Sequence, residues 1–392
     1  MICKKIEFTS FRNIENEVIE FSPYINVIYG ENAQGKTNIL EGIYLFARGK
    51  SFRAFKDKEL ISFKSPCGYA RMVYEKKDGE HELGVEIPRS SIKRFYRNKV
   101  KVNKTSEIIG DFRAVLFCPS HLGIIKDSAS VRRKFLDIAI SQIKPVYVKM
   151  LTKYNACLEQ RNTLLKMSED ERSSYKGMLD VYSEELASLS ADIAEKRIEY
   201  VSKLNKHVKK YFEEMTKGKE IPEISYETNV EEADFESRES LRDKYLYLLK
   251  NNLERELKYG ATLYGIHKDD LKIELNSKDS RFYSSQGQQR SLALALKLAE
   301  GEISKEYSGE YPVFLLDDVL SELDESRRKY ILSNIRKRQV IITACESTAF
   351  SEVDDVNFIY IKDGKLSDFS IDNAVDNIND TNDTENDEKT ED

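Results

Sequence analysis

Short apolar runs typical of strands occur toward both ends of the chain, and the middle follows a different pattern. Five of these runs are almost continuously apolar, which indicates strands buried on both faces. The others are mixed or alternate between apolar and polar residues, as in strands with one exposed face. Together they predict sheets built from the two ends of the sequence. The predicted strands are residues 3–8, 18–21, 25–29, 68–74, 82–87, 112–117, 311–316, 339–343 and 358–362.

Apolar residues at helical spacing dominate the middle of the chain. From about residue 131 to 257, glycines are few and strand signals are almost absent. Over residues 179–212 the apolar positions recur at steps of three and four, which predicts one helix with an apolar seam. At 1.5 Å per residue this helix is about 50 Å long, and its predicted partner is the helix at 142–167. We therefore expect a helical hairpin inserted into an α/β domain, with residues 168–174 as its turn.

The strand at 25–29 leads into the sequence Gly-Glu-Asn-Ala-Gln-Gly-Lys-Thr and then into a predicted helix. Strand, glycine-containing turn and helix are the context in which G-x-x-x-x-G-K-[ST] forms a phosphate-binding P-loop. Backbone N–H groups and the helix N-terminus would bind phosphate oxygens. Lys36 would reach the β- and γ-phosphates, and the Thr37 hydroxyl would bind Mg²⁺. The nucleotide-binding candidates in this loop are Gly30, Glu31, Asn32, Ala33, Gln34, Gly35, Lys36 and Thr37.

Two carboxylates follow the apolar strand at 311–316, which is the Walker B pattern. Buried strand ends seldom carry two acids without a cation. We expect Asp317 to hold Mg²⁺, directly or through water, and Asp318 to orient or deprotonate the attacking water. Lys36, Asp317 and Asp318 are thus the candidate catalytic residues, Thr37 and Asp317 are the candidate metal ligands, and ATP with Mg²⁺ is the expected cofactor. Because the P-loop lies near the start and Walker B near the end, the helical hairpin is expected to bring them together.

A polar Ser-Gln-Gly-Gln loop precedes a strongly apolar helix at 291–302. Ser285 suits an N-cap, but capping alone does not explain the whole polar loop, and a helix start with glycine is a second potential phosphate site. Arg12 lies on a predicted turn before the P-loop, where it is either a nucleotide contact or a solvated arginine. Asp324 ends a Ser-Glu-Leu-Asp sequence just after Walker B. The further nucleotide-binding candidates are Arg12, Ser285, Gln286, Gly287, Gln288 and Asp324.

Two other polar segments have more than one interpretation. Residues 93–104 carry six basic residues, no acid, and the aromatic residues Phe95 and Tyr96. Such a segment can follow a phosphodiester backbone, but the solvated face of a hairpin is the favoured interpretation. His267, Asp269 and Asp270 could suggest a metal, yet three ligands within four loop residues would need distorted geometry. A structural or nucleotide-proximal role is preferred for them.

Composition and charge limit the function classes. The 392 residues are 40% hydrophobic and 33% charged, and no run approaches the 18 apolar residues of a membrane span. We also see no signal peptide, and five scattered cysteines favour a reducing cytosol. The net charge of −6 is concentrated at residues 372–392, where nine acids and one lysine predict a disordered tail. The remainder is slightly basic, so an anionic partner fits.

The motifs in this order resemble the ABC-type ATPase heads of the SMC and Rad50 class, and their details are similar to the RecF family of bacterial recombination and gap-repair proteins. Only about 125 residues separate the two lobes, which is too short for the long coiled coils of SMC proteins. The resemblance covers residues 1 to about 362. The finer motifs that carry it are Phe11-Arg-Asn13, Ser51-Phe-Arg53, Phe117-Cys-Pro119, Arg132-Arg-Lys-Phe-Leu-Asp137, Gly265-Ile-His-Lys-Asp-Asp-Leu271 and Ser285-Gln-Gly-Gln288.

The resemblance implies a fold and a function. It implies an ABC-type ATPase head with lobe I at residues 1–130, a helical arm at 131–257, lobe II at 258–370 and a tail at 371–392. It further implies Mg-ATP binding, ATP-dependent homodimers, slow DNA-stimulated hydrolysis, and DNA binding at single-stranded, duplex or gapped sites. Such proteins act in the cytoplasm with RecO and RecR in RecA loading and SOS induction. Ser285 and its loop would contact the γ-phosphate held by the partner protomer, with Asp324 at the seam.

The sequence departs from the wider ATPase pattern at three places. Asp318 stands where such heads usually have glutamate, which agrees with slow turnover. The usual switch histidine is absent, since the chain reads Thr343-Ala-Cys-Glu346, and residues 117–122 contain no Q-loop glutamine. The alternative function is an ABC-type ATPase that drives a protein partner, as a transporter subunit does, but the helical insert argues against it.

Overall fold

The computed structural model describes residues 1–175, 177–231, 235–320, 323–335, 338–347, 350, 353 and 355–367. The predicted tail at 371–392 and the residues Ser321 and Glu322 of the Ser-Glu-Leu-Asp sequence lie outside them. The strands are β1 Ile2–Phe11, β2 Ile14–Glu20, β3 Ile25–Tyr29, β4 Cys67–Lys76, β5 Gly79–Pro88, β6 Arg94–Arg97, β7 Val100–Lys101, β8 Ala114–Phe117, β9 Pro222–Glu227, β10 Asp270–Leu275, β11 Lys278–Asp279, β12 Val313–Asp317, β13 Val340–Ala344, β14 Val356–Lys362 and β15 Lys365–Leu366. The helices are α1 Lys36–Arg48, α2 Gly123–Lys126, α3 Ala129–Ile143, α4 Pro145–Lys166, α5 Glu169–Ser173, α6 Met178–Thr216, α7 Arg238–Asn251, α8 Leu253–Tyr259, α9 Ser280–Tyr283, α10 Gln286–Ser308 and α11 Glu325–Ile335.

The central sheet has the order β15-β14-β3-β13-β12-β8, with every pair parallel except β14 and β15. Strands β3, β8 and β12 are buried along their whole length, which explains their continuously apolar sequences. Strand β13 pairs with β3 on one side and β12 on the other. The sheet order itself therefore places the P-loop and Walker B at one edge. The expectation that the helical hairpin does so is wrong.

The N-terminal sheet is antiparallel, in the order β2-β1-β4-β5-β6-β7. It packs with α1 on one face of the central sheet, where Ile28, Leu315 and Ile341 contribute to a shared core. The basic segment at 93–104 forms the β6–β7 hairpin, in which Phe95 is buried and Lys93 pairs with Asp57. The hairpin interpretation is confirmed for these residues.

The helical segment folds back onto the other face of the central sheet. Helix α6 packs on α4, as predicted, and also on α7 and α10, and one apolar core continues from these helices to β3, β12 and β13. Its 39 residues give a length of about 58 Å. Strand β9 lies within the segment where strand signals were expected to be almost absent. It pairs with β10. It was not predicted because Ile224 alternates with polar neighbours over too few residues to stand out in the sequence.

Candidate functional site

The loop at residues 30–37 connects β3 to α1 in the conformation that phosphate binding requires. Gly30 and Gly35 have φ angles of 148° and 112°, and Ala33 is left-handed at 66°. A Cβ atom at Gly30 would lie 2.3 Å from the carbonyl oxygen of Ile361, so only glycine fits there. The loop thus approaches β14 closely and turns sharply into the N-terminus of α1. This confirms the strand, turn and helix context predicted from the sequence.

Lys36 is buried beneath this loop, with 8% of its surface exposed. Its Nζ donates hydrogen bonds to the carbonyl oxygens of Gly30, at 2.5 Å, and Glu31, at 2.8 Å. Neutral carbonyl groups hold the ammonium but do not neutralise it. An anion that enters the loop would therefore meet an uncompensated positive charge beside the start of α1.

Asp317, at the end of β12, is the buried acid of the site. The Thr37 hydroxyl donates to its Oδ1 at 2.8 Å, and the Thr343 hydroxyl donates to the same oxygen at 2.9 Å. Burial raises the pKa of Asp317, and the two hydroxyl hydrogen bonds only partly oppose this. The residues Thr37 and Asp317, which are 280 positions apart in sequence, are thus brought together as predicted.

Asp318 is exposed and has a left-handed φ of 52°. Its backbone N–H donates to the Thr343 hydroxyl at 2.9 Å. Thr343 therefore contacts both aspartates, and it is itself 2% exposed. Sequence reasoning named Thr343 only as part of the segment that lacks the usual switch histidine. Its position directly after the apolar part of β13 was the available signal.

Glu41 is a site residue that sequence reasoning missed. It is fully buried in α1 and accepts hydrogen bonds from Arg12 at 2.8 and 2.9 Å, from Arg53 at 2.9 Å and from the Ser51 hydroxyl. Burial would raise the pKa of Glu41, but these hydrogen bonds outweigh it and hold the pKa below its usual range. The structure thus gives Arg12 a carboxylate partner, and its contact with a nucleotide stays a prediction.

Asn13 connects this cluster to the P-loop. Its Nδ2 donates to the carbonyl of Gln34 at 3.1 Å, and its Oδ1 accepts from Asn38 at 2.7 Å. The motif Phe11-Arg-Asn13 therefore contacts the phosphate-binding loop itself, and the motif Ser51-Phe-Arg53 contacts helix α1, which follows the loop. An acid such as Glu41 inside a helix gives no sequence signal of this role.

The polar Ser-Gln-Gly-Gln loop predicted from the sequence forms the N-terminus of α10: Ser285 is the N-cap, the next three residues begin the helix, and the capping box is complete. The Ser285 hydroxyl accepts from the Gln288 N–H at 3.3 Å, and the Gln288 side chain accepts from the Ser285 N–H at 2.6 Å. The Gln288 amide also contacts Glu220. Ser285 and Gln286 are exposed. This loop is therefore open to a ligand or a second chain, while its helix is fixed in the core.

Asp324 caps α11 by accepting from the Arg327 N–H at 2.9 Å, and the Arg327 side chain donates to Ser291 of α10 at 2.7 Å. The hydrogen bond from the Arg327 N–H lowers the pKa of Asp324, and the positive charge of the Arg327 side chain lowers it further. Arg327 also approaches Gly287 closely. The structure thus connects Asp324 to the Ser-Gln-Gly-Gln loop within one chain.

The segment 265–271 has a structural role. His267 Nε2 donates to the Thr262 carbonyl, so its Nδ1 accepts from the Tyr154 hydroxyl at 2.6 Å. Asp269 accepts from Tyr226, and Asp270 forms an ion pair with Arg132 at 2.6 Å. No group of three or more potential metal-ligating side chains occurs in the part of the chain that the structure describes. Within that same part, no helix has the length and apolar character to cross a membrane.

The fold and this site define an ATPase head of the RecF, RecN and SMC class. A family model described as the RecF/RecN/SMC N terminal domain matches residues 2–368. The DNA replication and repair protein RecF of Clostridium perfringens is 39% identical over 88% of this chain and 92% of its own length. That of Clostridium acetobutylicum is 38% identical over 94% and 100%.

A solved structure gives the same result. The chain superposes with a TM-score of 0.85 on a structure described as the recombination mediator protein RecF-ATP in the RecFOR pathway. That protein is 38% identical, and the match covers 94% of this chain and 97% of that one. The chain belongs to the RecF family, as the sequence motifs suggested, and it has the expected ABC-type α/β head fold.

Proposed function

We propose that this protein is an ATP-dependent DNA-binding switch of recombinational repair and replication. One observation carries the proposal: Thr37 of the P-loop donates a hydrogen bond to the buried Asp317 of Walker B, next to Lys36, whose Nζ is held by the Gly30 carbonyl of the same loop. That arrangement is the common core of enzymes that bind and hydrolyse nucleoside triphosphates. The names of the relatives, all DNA replication and repair proteins, support the choice of DNA as the target.

The residues present fit a magnesium ion bound together with ATP. Asp317 is buried, and no ion pair with a described basic residue neutralises it. Thr37 and Asp317 would hold the ion, which supplies charge compensation for the β- and γ-phosphates. Lys36 would bind the same phosphates. Asp318, one methylene shorter than glutamate, would orient the attacking water from a greater distance, in keeping with slow hydrolysis.

ATP would join two copies of the chain. In this dimer the exposed loop of Ser285, Gln286, Gly287 and Gln288 contacts the γ-phosphate held by the partner's P-loop, and Asp324 lies at the seam. Hydrolysis removes the shared phosphate and favours separation. On gapped DNA the ATP-bound dimer would act with RecO and RecR to place RecA and thereby promote SOS induction.

The test is sedimentation velocity with ATP, ADP or no nucleotide, each with and without gapped duplex DNA. We expect dimers with ATP but not with ADP or without nucleotide. We also expect the ATP-bound protein to bind DNA more tightly than the other two forms. A DNA affinity and an oligomeric state that no nucleotide changes would contradict the proposal. Association with a protein in an ATP-dependent manner, without DNA binding, would favour a protein-directed ATPase instead.

Ser285→Arg tests the role of the loop in trans. The larger cation would occupy the space of the partner's phosphate contact, so we expect monomers in saturating ATP with nucleotide affinity unchanged. Ser174→Arg, at an exposed serine in the turn before α6, is the matched control and should still dimerise. Loss of the N-cap costs about 1 kcal/mol, so a melting curve accompanies the sizing run. ATP-dependent dimers of Ser285→Arg would end this assignment.

A further inference from the structure

Three clefts meet beside the C-terminal end of α1, where all three are lined by Arg48 and Lys134. Their volumes are about 500, 300 and 680 Å³. The first runs along α3 and α4, the second reaches α10, and the third follows the loop of residues 50–57. The three clefts are adjacent because they share these lining residues, and we call them together the basic groove.

Half of the charged side chains that line the basic groove are already paired. Asp57 pairs with Lys93 at 2.6 Å, and Asp137 pairs with Arg197 at 2.9 Å. Asp127 is the third acid of the lining. Two further cations are paired with acids outside the groove, Arg53 with Glu41 and Lys297 with Glu300. Two of the three lining acids are therefore paired within the groove, while several of its cations take part in none of these ion pairs.

The remaining cations of the groove are Arg48, Lys50, Lys56, Arg133 and Lys134. None of them forms an ion pair with a carboxylate of the described residues, and Arg133 instead donates to a backbone carbonyl. Lys50, Lys56 and Lys134 are exposed. Although the Lys134 side chain is exposed, its base is partly desolvated, and this desolvation together with the nearby charge of Arg48 lowers the pKa of Lys134. Like charges gathered without counter-charge indicate a surface shaped for an anion.

An aromatic side chain projects beside these cations. Phe55 lies in the third cleft and is 98% exposed, and Phe52 lines the second and third clefts next to it. Phosphates interleaved with flat, stackable rings are the ligand that such a surface matches. An acidic peptide offers carboxylates to the cations but need not offer a ring that stacks on Phe55. The chain's own acidic residues 372–392, for example, contain no aromatic residue.

We propose that the basic groove binds the phosphodiester backbone of a nucleic-acid strand, with Phe55 stacking on an unpaired base. This inference rests on the proposed DNA-binding function and assigns it a surface. The Arg53 guanidinium contacts both Asn38 and Glu41 in the first two turns of α1. A strand bound along the loop of residues 50–57 would therefore lie one side chain away from the P-loop helix.

The test uses the full-length protein with ATP and a fluorescent oligothymidine, followed by anisotropy across a salt series. The variant Lys50→Gln/Lys56→Gln/Lys134→Gln removes three exposed charges. We expect on the order of 10- to 100-fold weaker binding near 0.1 M salt, and a slope of log K against log salt that is shallower by about 2. The control Lys206→Gln/Lys210→Gln/Lys219→Gln removes three exposed charges in the C-terminal part of α6 and just after it and should retain the wild-type slope.

Phe55→Ala separates a nucleic-acid strand from an acidic peptide. We expect several-fold weaker binding of the single strand with an unchanged salt slope, because the ring carries no charge. Unchanged affinity in both the lysine and Phe55 variants, while wild-type protein binds, would overturn the groove assignment alone. Equal losses in the groove and control variants would do the same. Failure of the wild-type protein to bind DNA in any nucleotide state would instead overturn the proposed function.

Discussion

Thr343 is the residue that holds the two aspartates of Walker B in a fixed relation. Its single hydroxyl donates to Asp317 and accepts from the Asp318 N–H, so both bonds depend on one atom. In the absence of the usual histidine, this hydroxyl is the polar group of β13 closest to the site. Its role is therefore positional, since it acts on the reacting groups through the two aspartates.

Thr343→Val keeps the shape of the side chain and removes the hydroxyl. We expect ATP turnover to fall by about tenfold, equivalent to about 1.4 kcal/mol, because Asp317 loses a donor and the Asp318 N–H loses its acceptor. Nucleotide affinity should change by less than this factor, since Lys36 and the P-loop are untouched. Steady-state ATPase assays and nucleotide titration measure the two effects. Thr343→Ser should retain activity, and equal losses in both variants would contradict the role given to the hydroxyl.

The sequence predicted the residues of this site better than their partners. The P-loop pattern and the two acids after an apolar strand are local signals, and Thr37 and Asp317 lie together as expected. Glu41 and Asn13 could not be predicted in the same way. Their partners lie 29 and 21 positions away along the chain, so their roles follow only from the packing of α1 on the N-terminal sheet.

At the scale of elements, His267 connects α4 to the segment that leads into β10. It receives a hydrogen bond from Tyr154 of α4 and donates to the Thr262 carbonyl. Burial lowers its pKa from 6.5 to about 4. In the unfolded chain the imidazole binds a proton below pH 6.5, whereas in the folded chain it resists protonation until about pH 4. Its contribution to stability is therefore complete above pH 6.5 and is lost as the pH falls toward 4.

His267→Gln should make the free energy of unfolding less dependent on pH between 6.5 and 4. As the pH falls from 6.5 to 4, the difference in the free energy of unfolding between wild type and variant should narrow by at most roughly 3 kcal/mol. Denaturant titrations at several pH values measure it. His121, whose pKa is also lowered by burial, is present in both proteins and cancels in the comparison. If the free energies of unfolding of the two proteins changed in parallel with pH, folding would not shift the pKa of His267.

Elements with a strong period were predicted well, and short ones were not. The apolar seam identified α6 and its packing on α4, because a repeat over 34 residues leaves few alternatives. Strand β9 was missed, since six residues that include Pro222 and two glutamates carry a weak alternation. What makes it a strand is pairing with β10, 43 or more residues later, which no local pattern contains.

At the scale of the whole molecule, α1 connects the proposed nucleotide and DNA sites. Lys36 begins this helix beneath the P-loop, Glu41 fixes Arg53 against it, and Arg48 ends it in the basic groove. One rigid element thus contacts both regions. A ligand that shifts α1 at one end would also shift the residues at its other end, because a packed helix moves as a unit.

We expect the acidic residues 372–392 to act on this arrangement through their charge. They carry a net charge of −8, and the rest of the chain is slightly positive. An acidic segment tethered to the chain lowers the affinity of any anion for the basic groove, by repulsion and by competition for its cations. Both effects act through solvent and weaken as salt shortens the Debye length from about 10 Å at 0.1 M toward 3 Å at 1 M.

Deletion of residues 372–392 should therefore strengthen DNA binding, by roughly 2- to 10-fold near 0.1 M salt and by little near 0.5 M. Replacing the nine acids with asparagine and glutamine keeps the length and should give the same increase. The groove variant Lys50→Gln/Lys56→Gln/Lys134→Gln should gain less from the deletion than wild type does, since it has fewer cations to release. An increase in DNA affinity that does not depend on salt would show that the tail acts elsewhere. The same conclusion would follow if the deletion increased the affinity equally in the wild type and in the groove variant.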